Sequence, residues 1–181
     1  MEKITLSGLA GSGKSTIGKL LAAKMDYQFI SIGNYSREYA KEKFNLDINE
    51  FQAFCKEHPE EDLAIDKHFA SKINSSKGMV VDYRLGHKFI NNALHVYLDV
   101  SEDEAVKRLL NAKRTKEFKE QKVGLIRREM NKRNNAMRKR FMDIYQTDFI
   151  DINNYDLIIN TDKYPHFDDI ANLIIAHLKN R

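Results

Sequence analysis

Eight residues, Gly8-Leu9-Ala10-Gly11-Ser12-Gly13-Lys14-Ser15, constrain this chain more than any others. They spell G-x-x-x-x-G-K-S. Upstream, Ile4-Thr5-Leu6 reads as a short buried strand; from Thr16 onward the chain reads as a helix with one apolar face. Strand, glycine loop and helix in that order let a backbone wrap around a phosphate. The loop N–H groups and the helix N-terminus then aim positive charge at the anion. Lys14 would reach the outer phosphates and the Ser15 hydroxyl would hold Mg²⁺. A glycine-rich turn without a ligand is the bland alternative, and so long a match in this context argues against it. The expected ligand is ATP with Mg²⁺, held by residues from Gly8 to Thr16.

Beyond the loop, strands are expected near 3–7, 28–32, 79–82, 95–99 and 156–160. Helices are expected near 14–25, 34–44, 48–57, 60–74, 102–112, 117–145 and 167–179. Asp47 with Glu50, and Ser101 with Glu104, have the spacing of capping boxes. Pro59 suits a first helical turn. The alternation predicts an α/β fold, a parallel sheet covered by helices on both faces. Ligands bind such sheets outside the carboxyl ends of the strands. That singles out three segments: Ser31 to Arg37, Asp82 to Gly86, and the strand end at Asp99. Asp82 and Asp99 both qualify as a second carboxylate on the Mg²⁺ side. Asp82 is preferred because Arg84 follows it at once.

The length of 181 residues suits one domain, spanning 1–181. No run of 18 apolar residues appears, so no membrane partner is expected. With a strand and loop so near the first residue, no leader is expected. Cys55 is the only cysteine, and it reads as a packing residue. A cytoplasmic location is expected. The net charge is +4, but its distribution says more. Lysines are scattered; five of the ten arginines fall between Arg127 and Arg140. Arg37, Arg84, Arg108 and Arg114 lie near strand ends, a helix start or loops. Arginine suits bidentate phosphate recognition. Within 117–145, Val123, Ile126, Met130, Met137, Phe141 and Ile144 recur at helical spacing, and Arg133 interrupts the stripe. Arg133 and Arg140, seven apart, share a face to within about 20° and are favoured for phosphate contact. Arg127, Arg128, Arg138 and Lys139 read as a solvated face. A nucleic-acid surface is the weaker reading, since few aromatics interleave the basic run.

A phosphate loop with several arginines implies two phosphorylated ligands or one long one. An alcohol acceptor wants a carboxylate base close by; a phosphate acceptor is already anionic and wants arginines. Asp82 beside Arg84, with Arg37, leans toward a phosphate acceptor. Arg108, Lys113 and Arg114 would form a short basic lid at about 113–123 that excludes water. Two alternatives stay open: a kinase of another small metabolite, of the shikimate kinase type, and a nucleotide-binding module that docks RNA or protein. The second should lose affinity steeply with salt.

Several segments together resemble the nucleoside monophosphate kinases of the adenylate kinase superfamily, most of all archaeal-type cytidylate kinases. They are the loop, Ile30-Ser31-Ile32-Gly33 leading to Arg37, the stretch around Pro59, and Arg84-Leu85-Gly86. The strand ending at Asp99, Tyr145 to Asp148, and Tyr155 to Thr161 complete the likeness. The resemblance implies a P-loop fold with a five-stranded parallel sheet of order 2-3-1-4-5 and a helical acceptor region at about 34–75. It implies a monomer that takes ATP and a monophosphate, CMP or dCMP. Arg37 and Arg84 would hold the acceptor phosphate, beside Gly33 and Asp82. Arg108 and Arg114 would belong to the lid, Arg133 and Arg140 would bridge the phosphates, and Asn160 to Lys163 would lie near the donor base. Tyr83 stands where the family has glycine, and its ring is expected to narrow the acceptor site. Asn34 stands where adenylate kinases often have aspartate. Within 47–68, Asp62, Asp66 and His68 are the polar groups available to read the base. Asp62 and Asp66, four apart, share a helical face that could equally be an ordinary solvated one.

Overall fold

The computed structural model describes residues 3–111 and 123–180. Its centre is β1 (Lys3–Ser7), buried along its whole length. β1 pairs in parallel with β3 (Met79–Asp82) on one side and β4 (Ala93–Asp99) on the other. β2 (Gln28–Ser31) and β5 (Leu157–Asn160) close the two edges, giving the order β2-β3-β1-β4-β5 that the resemblance implies. The helices are α1 (Lys14–Met25), α2 (Ile32–Phe44), α3 (Ile48–Glu57), α4 (Pro59–Asn74) and α5 (Gly86–Phe89). They continue with α6 (Glu102–Asn111), α7 (Val123–Tyr145) and α8 (Phe167–Lys179).

Strand alternation divides β1 between two environments. Ile4 and Leu6 face a core shared with Ile17 and Leu21 of α1 and Ile170 and Ile174 of α8. Lys3, Thr5 and Ser7 are also buried, and each is matched by a polar partner. Lys3 Nζ donates to the Asn74 and Asn91 carbonyls, Thr5 Oγ1 bonds His95 Nδ1 at 2.7 Å, and Ser7 receives the Tyr155 hydroxyl at 2.8 Å. A second core, with Phe69, Val81, Tyr83, Phe141 and Phe149, lies under α4 and α7. Gly86 explains the Arg84-Leu85-Gly86 signature sterically: a Cβ there would lie 2.5 Å from Thr5 Cβ. The helices α2 to α4 share a smaller core of Ala40, Phe51, Cys55 and Ile65.

Some sequence expectations need correction. β4 begins two residues earlier than expected, at Ala93. The Asp47–Glu50 box is closed, but the Ser101–Glu104 box forms only half. Glu104 N–H donates to Ser101 Oγ, while the Ser101 N–H is taken by Asp162 and the Glu104 carboxylate by Lys107 and Arg108. In α7 the buried stripe runs Ile126, Met130, Asn134, Phe141, Tyr145. Val123 is half exposed. Asn134, not Arg133, is therefore the polar residue within the buried stripe. Arg133 is exposed beside it.

Candidate active site

The loop between β1 and α1 is built for an anion. Gly13 caps α1 at φ 87°, in the left-handed region, and offers no side chain to the helix. With no side-chain cap, the N-terminus of α1 is open to an anion. Gly11 also adopts positive φ. Thr16 turns the chain into the helix through an N–H···O bond to Gly13. Ser12 is fully buried, and Leu9 and Ala10 form the tip.

Lys14 folds back under this loop. Its Nζ donates to the Leu9 carbonyl at 2.8 Å and to Ser12 Oγ at 3.2 Å. Burial, reinforced by the Arg84 and Arg133 guanidinium charges, pushes the amine down to about 7 despite Asp82 nearby. Ser15 Oγ donates to Asp82 Oδ2 at 2.7 Å. That hydroxyl–carboxylate pair has the oxygen chemistry Mg²⁺ requires, and few protein ligands suffice where phosphates supply the rest. Asp99, the other carboxylate considered, gives its backbone carbonyl to Thr161 Oγ1.

Arg84 reaches from the end of β3 to the Gly8 carbonyl, 3.1 Å from its Nε, and its guanidinium lies over the Phe149 ring. Its own carbonyl accepts from Ser7 Oγ. Arg37 is placed by α2, where it donates to Asn34 Oδ1 at 2.5 Å and lies close to Gly33. Arg108 is not free as a lid arm. It pairs with Glu104, donates to Thr161 Oγ1 at 2.8 Å, and lies over Phe167. With Asp162, Tyr164 and Phe167 it lines a cleft of about 490 Å³ beside the Thr161–Lys163 turn. Arg114 and the expected lid lie outside the described residues.

The acceptor-side residues separate in an unexpected way. Arg140 pairs with Asp62 at 2.7 Å. Asp66, one turn further along α4, is 6% exposed and therefore not on a solvated face. Its two oxygens accept from the Tyr83 hydroxyl at 2.8 Å and from the Tyr145 hydroxyl. Burial raises its carboxyl above the usual range. Tyr83 is 2% exposed, so its ring belongs to the core and cannot form a wall of an acceptor cleft. His68 is exposed, beside Tyr39. Two contacts escaped the sequence reading. Asn134 Oδ1 accepts from the Ala10 N–H at 3.3 Å, tying α7 to the loop tip, and Thr161 holds Arg108. An asparagine at a buried helical position was the available signal for the first.

Residues 3–163 match the model of the cytidylate kinase-like family. The chain belongs to that family. It is 31% identical over 178 residues to a cytidylate kinase of Methanosphaera stadtmanae, covering 98% of each chain. It is 49% identical over 175 residues to an S-adenosylmethionine-dependent nucleotide dehydratase of Lacinutrix mariniflava. That match covers 97% of this chain but only 35% of the relative, so the chain spans about a third of that protein's length. The fold matches the crystal structure of a shikimate kinase from Bacteroides thetaiotaomicron. The TM-score is 0.62 at 19% identity, over 98% of each chain. Fold and family are those of P-loop kinases.

Proposed function

We propose that the protein transfers the γ-phosphoryl group of Mg²⁺-bound ATP to a nucleoside monophosphate, with CMP or dCMP preferred, releasing ADP and the diphosphate. One observation carries the reading: Lys14, the Ser15–Asp82 pair and Arg84 converge at the loop, with the Arg133 charge acting on both Lys14 and Arg84. In the transfer, an acceptor phosphate oxygen attacks the γ-phosphorus while the bond to the β-bridging oxygen breaks. An anionic acceptor needs no base. It needs positive charge over the moving group and exclusion of water. Asp82, engaged by Ser15, suits the metal side better than a base's role. Arg84 would hold the acceptor phosphate with Arg37 approaching from α2, and the Arg108–Phe167 cleft would take the donor base. The archaeal relatives support the monophosphate acceptor. The test is ADP release from ATP and Mg²⁺ with CMP, dCMP, UMP, AMP and GMP supplied separately. AMP outcompeting CMP at equal concentration would overturn the base assignment. Lys14→Ala should lower kcat on the order of 10²-fold or more in a folded protein.

The 49% relative favours a second reading, of where the product goes. Its name joins a segment of this kind to nucleotide dehydration. The phosphorylated nucleotide would then be consumed by a dehydratase. Supplied with CMP, ATP and the S-adenosylmethionine its name requires, the dehydratase segment of that relative should form dehydrated nucleotide only when this chain is added.

A further inference from the structure

Helix α7 acts as a ruler across the acceptor side. At one end the Arg133 charge bears on Lys14 and Arg84, where phosphates would lie. Arg140 is seven residues further on, about 10 Å along the axis on nearly the same face. Its charge bears on a different set of groups: Asp66, Tyr83, Tyr145 and Cys55. A separation of about 10 Å would suit two ends of one nucleotide.

At the far end, Arg140 Nη2 meets Asp62 Oδ1 at 2.7 Å, with side-chain exposures of 40% and 15%. The pair therefore has a solvent-facing side on which a base edge can lie. Asp66 cannot share that task, because two tyrosine hydroxyls occupy its oxygens. They hold α4 against the end of β3 and against α7, and so fix the place of Asp62. Asp62 engages Nη2 of Arg140, and the guanidinium fork carries further N–H donors on its two terminal nitrogens. A carboxylate only accepts and a guanidinium only donates. Side by side, they complement an edge that offers a donor followed by acceptors. Cytosine has that edge: a 4-amino group, then N3, then O2. Uracil offers O4 and N3–H at the first two positions, so an acceptor would face the carboxylate and a donor the guanidinium.

We propose that the Asp62–Arg140 pair reads the acceptor base and selects cytosine, Asp62 accepting from the 4-amino group and Arg140 donating to N3 and O2. This rests on the monophosphate kinase reading and names the groups that would give it specificity.

The test needs no variant at first. Wild-type protein is assayed with CMP, UMP and a CMP analogue whose 4-amino group is replaced by hydrogen. CMP should exceed both in kcat/KM by on the order of tenfold or more. Asp62→Asn, whose amide can present either a donor or an acceptor, should bring the CMP-to-UMP ratio down to within about threefold. Arg140→Lys keeps the charge but loses the planar fork, and should raise KM for CMP more than KM for ATP. An analogue used as well as CMP by the wild type overturns the proposal. So does a cooperatively melting Asp62→Asn protein with an unchanged CMP-to-UMP ratio. In both cases CMP turnover leaves the kinase reading standing. Absence of turnover with every monophosphate sinks both.

Discussion

Replacing Lys14 by methionine should remove a specific pH dependence from the stability of the nucleotide-free protein. The amine is buried and held at about 7, against 10.5 for an ordinary lysine. Between those values the unfolded chain carries a proton that the folded chain has released. A base whose folded value is lowered makes stability rise with pH across that window, by about 1.4 kcal/mol per unit for one proton. From pH 7.5 to 9.5 the wild type should gain about 2–3 kcal/mol relative to Lys14→Met, since other titrating groups cancel in the difference. The assay is urea unfolding of both proteins at several pH values and constant ionic strength, without nucleotide. Parallel stability curves would refute the reasoning, and would mean that Lys14 keeps its proton in the folded loop.

Three further outcomes are expected. ATP should restore the Lys14 proton by placing phosphate oxygens beside it, so binding at pH 8 should take up a proton, read as a dependence of calorimetric heat on buffer ionisation enthalpy. Asp66→Ala should cost about 2–5 kcal/mol in urea unfolding, because two buried tyrosine hydroxyls lose their acceptor. Cys55, buried and with its thiol pushed up to about 12 mainly by burial, should resist thiol reagents at neutral pH in the native protein and react once the chain is unfolded.

What could be read from sequence was local. The loop from Gly8 to Ser15 and the Asp47–Glu50 cap announce themselves because the physics acts within a few residues. α5 went unread because four residues carry no periodicity. The Ser101 cap was half wrong because a distant residue, Asp162, competes for its N–H. Asp66 is not legible locally for the same reason. Helical spacing puts it on a face with Asp62, but two tyrosines 17 and 79 residues away decide that it is buried. Within α7, neighbouring residues exchange roles through a rotation of one position. The sequence marks Arg133 as the intruder, whereas packing against Val100, Ala105 and Val106 turns Asn134 inward.

The small core inside α2 to α4 bears on how such proteins diverge. Ala40, Phe51, Cys55 and Ile65 form a cluster of their own, joined to the layer under α4 and α7 through Ile32 and Tyr35. Substitutions there can reshape one helical cap while β1, bonded on both sides, carries its loop unchanged.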